Sequence, residues 1–190
     1  MPAKVFWLEL ARRGRIPVRP RRASNAAPHE LDLRMMHRAL ELADDAAKLQ
    51  EVPIGAVVYA SPGTLAEGRV IAEAHNGRET LRDPAAHAEF IAITAAAKAR
   101  GDWRLDDCSV AVTLEPCPMC AGLIINARVG RVVFGADDPK AGAVRSLYTL
   151  LTDRRLNHRP TVLEGVCRDQ CSERLSTFFR RLREARRARR

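Results

Sequence analysis

Two short fragments constrain this chain more than any other feature: His87-Ala88-Glu89 and, thirty positions after the histidine, Pro116-Cys117-Pro118-Met119-Cys120. A neutral imidazole and two thiolates are ligands that zinc prefers, and a two-residue gap between cysteines at a helix start lets both sulfurs face one point. Both fragments fall at predicted helix starts. Unpaired backbone N–H groups and the positive end of the helix dipole favour thiolate over thiol there. Any fold that uses the set must therefore bring two helix N-termini, distant in sequence, to one place. One His and two Cys leave the fourth tetrahedral position for water, the mark of a catalytic rather than a structural zinc. Within a helix Glu89 lies about 200° around the axis from His87, so it flanks the site rather than chelating from the same face. That position suits a general acid/base. A structural zinc completed by Cys108, Cys167 or His158, or a redox Cys-x-x-Cys, are the competing readings, and neither uses Glu89. Cys167 and Cys171 read as packing residues.

Around these fragments the pattern alternates between helix and strand. Apolar residues at three- and four-residue spacing predict an amphipathic helix over 31–49, from Leu31 to Leu49. Val52 to Ala60 and Arg69 to Ala74 read as a hairpin around Ser61-Pro62-Gly63. Asp83-Pro84 predicts a helix cap just before His87, with the helix running to Gly101. A strand at Ser109 to Leu114, a helix opened by Cys117-Pro118 through about Ala127, and a strand from Arg131 to Phe134 ended by Gly135 follow. A short helix around Ala143 to Leu151, a strand near Thr161 to Val166 and a basic helix from Asp169 complete an α/β chain with one central sheet.

At 190 residues the chain fits one domain with terminal extensions. Its net charge of +9 is uneven: residues 1–30 carry 7 Lys/Arg against 2 acids, residues 168–190 carry 9 against 3, and 31–167 hold 16 against 18. Two basic arms on a near-neutral body suit an anionic partner larger than a metabolite. The expected division is a disordered basic extension over 1–28, a catalytic domain over 29–183 that includes the basic helix, and a basic tail over 184–190. Five cysteines, an odd number, argue against a disulfide framework and for a reducing, cytoplasmic setting. The apolar patch Val5 to Leu10 is broken by Glu9 and makes no secretory signal, and Val52 to Ala66, interrupted by Pro53, Gly55, Pro62 and Gly63, makes no membrane span.

The paired His-x-Glu and Pro-Cys-x-x-Cys fragments resemble the signature of the zinc-dependent cytidine/deoxycytidylate deaminase superfamily. The flanking segments Glu51-Val52-Pro53-Ile54-Gly55-Ala56-Val57, Val112-Thr113-Leu114-Glu115-Pro116-Cys117, Gly130-Arg131-Val132-Val133-Phe134-Gly135-Ala136, Asn157-His158-Arg159 and Phe178-Phe179-Arg180 are similar, in this order, to the bacterial tRNA-specific adenosine deaminases, the TadA family. The resemblance spans about His29 to Arg183. It implies a three-layer α/β/α sandwich with a mixed five-stranded sheet, a homodimer, and one zinc ion per subunit held by His87, Cys117 and Cys120. It further implies hydrolytic deamination of the wobble adenosine in a tRNA anticodon stem-loop to inosine, with Glu89 as the proton shuttle. Asn76 then becomes a hydrogen-bond partner of the flipped base, and Asp138 an acceptor for a neighbouring 2′-hydroxyl. Asp137 departs from the pattern, standing where a basic residue is frequent, and the Ser61 to Gly68 loop is longer than usual. In the basic helix, Phe178 and Arg180 are read as RNA-contacting groups. Two rivals remain at this level: a deaminase of free nucleobases or nucleosides (guanine, cytosine or cytidine) and a non-catalytic zinc-containing RNA-binding module.

Overall fold

A computed structural model describes residues 28–188. The expected extension over 1–28 falls almost entirely outside that range, as does the end of the 184–190 tail. The elements run α1 (Glu30–Lys48), β1 (Gly55–Ala60), β2 (Val70–His75), α2 (Ala88–Arg100), β3 (Cys108–Leu114), α3 (Pro118–Asn126), β4 (Arg131–Ala136), a 3₁₀ turn (Leu150–Thr152), β5 (Thr161–Glu164) and α4 (Arg168–Ala188). The strands form one sheet ordered β2-β1-β3-β4-β5. β1 is antiparallel to β2 and to β3, while β3, β4 and β5 run parallel, so the sheet is mixed as expected.

Alternation along the central strands divides the core in two. Ala56, Val58, Val110, Val112, Val132 and Phe134 face α2 and α3, whereas Val57, Tyr59, Ala111 and Val133 face α1 and its neighbour α4. β1 is buried at every position, which explains why it reads as a continuous apolar run rather than an alternating one. The result is three layers, helix pair over sheet over helix pair.

Asp32 ties these layers at one corner. At the third position of α1 it accepts from the His29 N–H (2.9 Å) in a capping box. Its oxygens also accept from the Tyr59 hydroxyl (3.0 Å) and from the Arg131 guanidinium. A fully buried carboxylate is costly alone, and here every lone-pair direction that matters has a donor.

Three sequence expectations need correction. Asp83-Pro84 does not start α2: the Asp83 carboxylate accepts from the Ala85 N–H (2.8 Å) in a turn, and His87 itself, with extended backbone, is the N-cap of α2. Gly135 does not end β4, which continues to Ala136. A Cβ at Gly135 would collide with the Cys171 sulfur and the Thr113 carbonyl, so the glycine answers the close approach of α4. No helix forms over 143–149, because the backbone N–H groups of Val144, Arg145 and Ser146 all turn to the Glu115 carboxylate at 2.7–3.0 Å. The left-handed Gly101 that closes α2 agrees with expectation. Among the described residues no helix is long and apolar enough to cross a membrane.

Candidate active site

One end of the sheet gathers the C-terminal ends of β3 and β4, the start of β1, the residue after β2, and the N-termini of α2 and α3. In sheets with parallel strands, ligands settle at this end. His87 and Cys117 are the N-caps of α2 and α3, and proline at the first position of α3 fits because its missing N–H needs no partner there. The arrangement brings His87 Nδ1 to 3.6 Å from Cys117 Sγ and 3.7 Å from Cys120 Sγ. Tetrahedral coordination with Zn–N near 2.0–2.1 Å and Zn–S near 2.3 Å requires an N···S separation of about 3.6 Å. The donor set therefore fits a zinc ion in both chemistry and spacing, with His87 offering Nδ1.

The protonation pattern supports the same reading. A hydrogen bond from Cys120, opposed by burial and aided by His87, holds the Cys117 thiol down to about 4. Cys120 is pushed strongly upward by its bond to that thiolate and by burial, because two thiolates this close do not both ionise without a cation. Its bond to Cys117 raises His87 above its ordinary range. One thiolate is thus preformed, and a metal ion would supply the charge that releases the second proton. Glu89, in the first turn of α2, is buried beside the set, and desolvation raises its carboxyl to about 7.

A cavity of about 410 Å³ opens over His87, Glu89 and Cys117. Asn76, Asp138, Val52 and Ile54 also line it, with Arg78 and Lys140 among its cationic groups. Asn76 and Asp138, both singled out in the sequence, thus share this cavity with His87 and Glu89. Cys120 lies buried next to the cavity rather than on its wall. The basic helix departs from expectation: Phe179 and Leu175 line the cavity, while Phe178 faces a separate groove between α1 and α4. A step of 100° per helical residue makes this choice, since only one of two adjacent side chains faces the sheet end. Arg180, the next residue, is exposed and off the cavity wall. Asp137 pairs with Arg168 at the start of α4, so the acid in place of the usual base is neutralised from the helix.

Sequence reasoning passed over two carboxylates that hold the walls. Glu115 accepts from the Asp138 N–H (3.1 Å), from the three amides of 144–146 and from the Ser146 hydroxyl. Burial raises its carboxyl, but these donors outweigh burial and leave it lower than ordinary. Glu51 accepts from Asn76 Nδ2 (2.9 Å) and from Thr80. The available signal was an acid at the boundary of an apolar run, which is weak by itself.

A buried acid beside a His/Cys/Cys donor set, at this end of this sheet, is the arrangement that a hydrolytic deaminase requires. The family model of MafB19-like deaminases matches residues 31–183. The tRNA-specific adenosine deaminase of Bacillus subtilis (strain 168) is 47% identical over 153 residues, covering 80% of this chain and 91% of that protein. That of Haemophilus influenzae is 44% identical over 155 residues, covering 82% and 87%. A solved structure from work on A-to-I editing by tRNA:A34 deaminases at the wobble position superposes with a TM-score of 0.69 at 41% identity, covering 75% of this chain and 99% of that one. A guanine deaminase from Bacillus subtilis is similar at 38% identity and TM-score 0.51, over 58% of this chain and 66% of its own. The chain belongs to the family of tRNA-specific adenosine deaminases.

Proposed function

We propose that this protein hydrolytically deaminates the wobble adenosine of a tRNA anticodon to inosine, releasing ammonia. One observation carries the reading: in a chain up to 47% identical to proteins named tRNA-specific adenosine deaminases, Glu89, His87 and Cys117 line one cavity and Cys120 lies buried beside it, within reach of His87. His87, Cys117 and Cys120 would hold one zinc ion per subunit. Zinc, when bound, supplies the Lewis acidity that lets water react at neutral pH. Glu89 takes a proton from the attacking water and delivers it to the departing amine; oxygen is gained at C6, and ammonia leaves. A carboxyl raised to about 7 both accepts and releases a proton near neutral pH. Asn76 orients the flipped base by hydrogen bonding, and Asp138 is placed to accept from a sugar hydroxyl. Leu175 and Phe179 close the cavity with apolar surface, which excludes competing water. Arg78 and Lys140 are available to phosphates of the anticodon loop.

The partner is a tRNA anticodon stem-loop, the setting is the cytoplasm, and the protein acts as a homodimer that would cover half-exposed Leu147 and Tyr148. The test is inosine and ammonia formation from a transcribed anticodon stem-loop carrying wobble adenosine, beside free adenosine, cytidine and guanine. Turnover of free guanine with an inert stem-loop would favour the nucleobase reading instead. Glu89→Ala is expected to keep zinc and RNA binding while losing roughly 10²–10⁴-fold in rate. Near-normal turnover by that variant rejects the role.

A further inference from the structure

Glu51 is fully buried, and its placement is defined by the chain around it. The polypeptide leaves α1 through Gln50, which adopts φ 61°, and the Glu51 N–H donates back to the Ala46 carbonyl at 3.0 Å. One carboxylate oxygen then accepts from the Thr80 N–H (2.6 Å) and the Thr80 hydroxyl (2.8 Å). The other accepts from Asn76 Nδ2 at 2.9 Å. A carboxylate can only accept, whereas an asparagine amide has a donor side and an acceptor side. Rotating the Asn76 amide by half a turn would set its oxygen against the Glu51 oxygen. The orientation with Nδ2 toward Glu51 is therefore held, and Oδ1 is left for the cavity that Asn76 lines.

We propose that Glu51 is a positioning residue that fixes which side of the Asn76 amide the base meets, and so sets the order of hydrogen-bond groups offered to a purine. The proposal rests on the reading of Asn76 as a base contact. Thr80 belongs to the same device, since its two donors hold Glu51 by the oxygen that Asn76 does not use. A site that fixes hydrogen-bond polarity rejects bases of the same shape with the opposite pattern, because a mismatch leaves buried polar groups unpaired.

Glu51→Gln keeps size, but with its oxygen held by the Thr80 N–H its NH₂ meets the Asn76 amide, which then turns Oδ1 toward it and Nδ2 toward the cavity. Single-turnover deamination of the stem-loop is expected to fall about 10- to 100-fold, as for loss of one charge-assisted hydrogen bond. Zinc content by elemental analysis should stay at the wild-type value. Adding Glu51→Gln to Asn76→Ala should lower the rate no further. The exchanged pair, Glu51→Gln with Asn76→Asp, restores a donor-to-acceptor match and again presents an oxygen to the cavity. It should exceed Asn76→Asp alone at least tenfold. This comparison also holds if Glu51→Gln alone folds poorly. A wild-type rate in Glu51→Gln, an equal loss in the Asn76→Ala background, or no gain from the exchanged pair overturns the proposal. A full rate in Asn76→Ala instead overturns the reading of Asn76, and the positioning role falls with it.

Discussion

Single carboxylates carry much of this architecture, and their effects are separable by measurement. Glu115 organises five donors from the one loop between β4 and the 3₁₀ turn, so Glu115→Gln, which turns an NH₂ toward some of those N–H groups, is expected to cost about 3 kcal/mol in denaturant unfolding. Asp32 offers a pH test. Burial raises its carboxyl, yet the Arg131, His29 and Tyr59 donors together hold it below the ordinary 3.8. A group depressed in the folded state contributes stability above its unfolded value and loses it as pH falls through the folded one. Asp32→Asn is therefore expected to cost about 3–5 kcal/mol at pH 7, where Arg131 is left unpaired. The gap between variant and wild type should narrow below pH 3.8. A gap that stays constant from pH 7 into that range would show that Asp32 acts through packing alone. The His87/Cys117/Cys120 cluster and Glu89 were legible in the sequence because their residue types and spacing have few other uses. Glu51 and Glu115 were not, since their worth lies in backbone and side-chain donors contributed from 23 to 31 positions away.

At the scale of elements, strands and long helices followed from apolar periodicity, and the errors came where side chains capture backbone. The 143–149 segment has helical composition but surrenders its amides to Glu115, and the Asp83-Pro84 pair makes a turn of its own before α2 begins. Helix α4 shows a subtler limit. Composition marks it as basic and aromatic, but only geometry tells which phenylalanine meets the cavity: Phe179, set edge to face against Phe178 with centroids 5.5 Å apart. Phe179→Ala is thus expected to reduce deamination more than Phe178→Ala, while Phe178→Ala, which opens the α1–α4 groove, should reduce thermal stability more. Arg180, Arg181 and Arg183 lie off the cavity wall. Their joint replacement by Ala should weaken stem-loop binding evenly across sequences and flatten the log affinity against log salt slope by up to about 0.7–0.9 per lost phosphate contact. An unchanged slope would assign them to ordinary solvated surface.

Across the whole molecule, His87, Cys117 and Cys120 would with zinc bound act as a clasp between α2 and α3, joining helices that enter the sheet from different crossovers. Ligand bound only to the folded state stabilises it, by about 2.7 kcal/mol at a free concentration one hundred times Kd. Chelation is accordingly expected to lower the melting temperature by roughly 5–10 °C for a domain of this size, with recovery on adding zinc. Cys117→Ser and Cys120→Ser should each lack that response and show reduced zinc by elemental analysis.

The cavity draws its walls from residues spread between Val52 and Phe179, and this gives its assembly a direction in time. A ribosome releases His87, Glu89 and the two cysteines well before Leu175 and Phe179. A nascent chain can thus hold the His/Cys/Cys set, with Val52, Ile54 and Leu114 already made, while the α4 wall of the cavity is still absent. Any message that ends before Leu175 would yield a product that carries His87, Glu89 and the two cysteines but lacks the α4 wall of the cavity. Arrival of Leu175 and Phe179, rather than of the chemistry-bearing residues, is thus the last step in assembling the cavity.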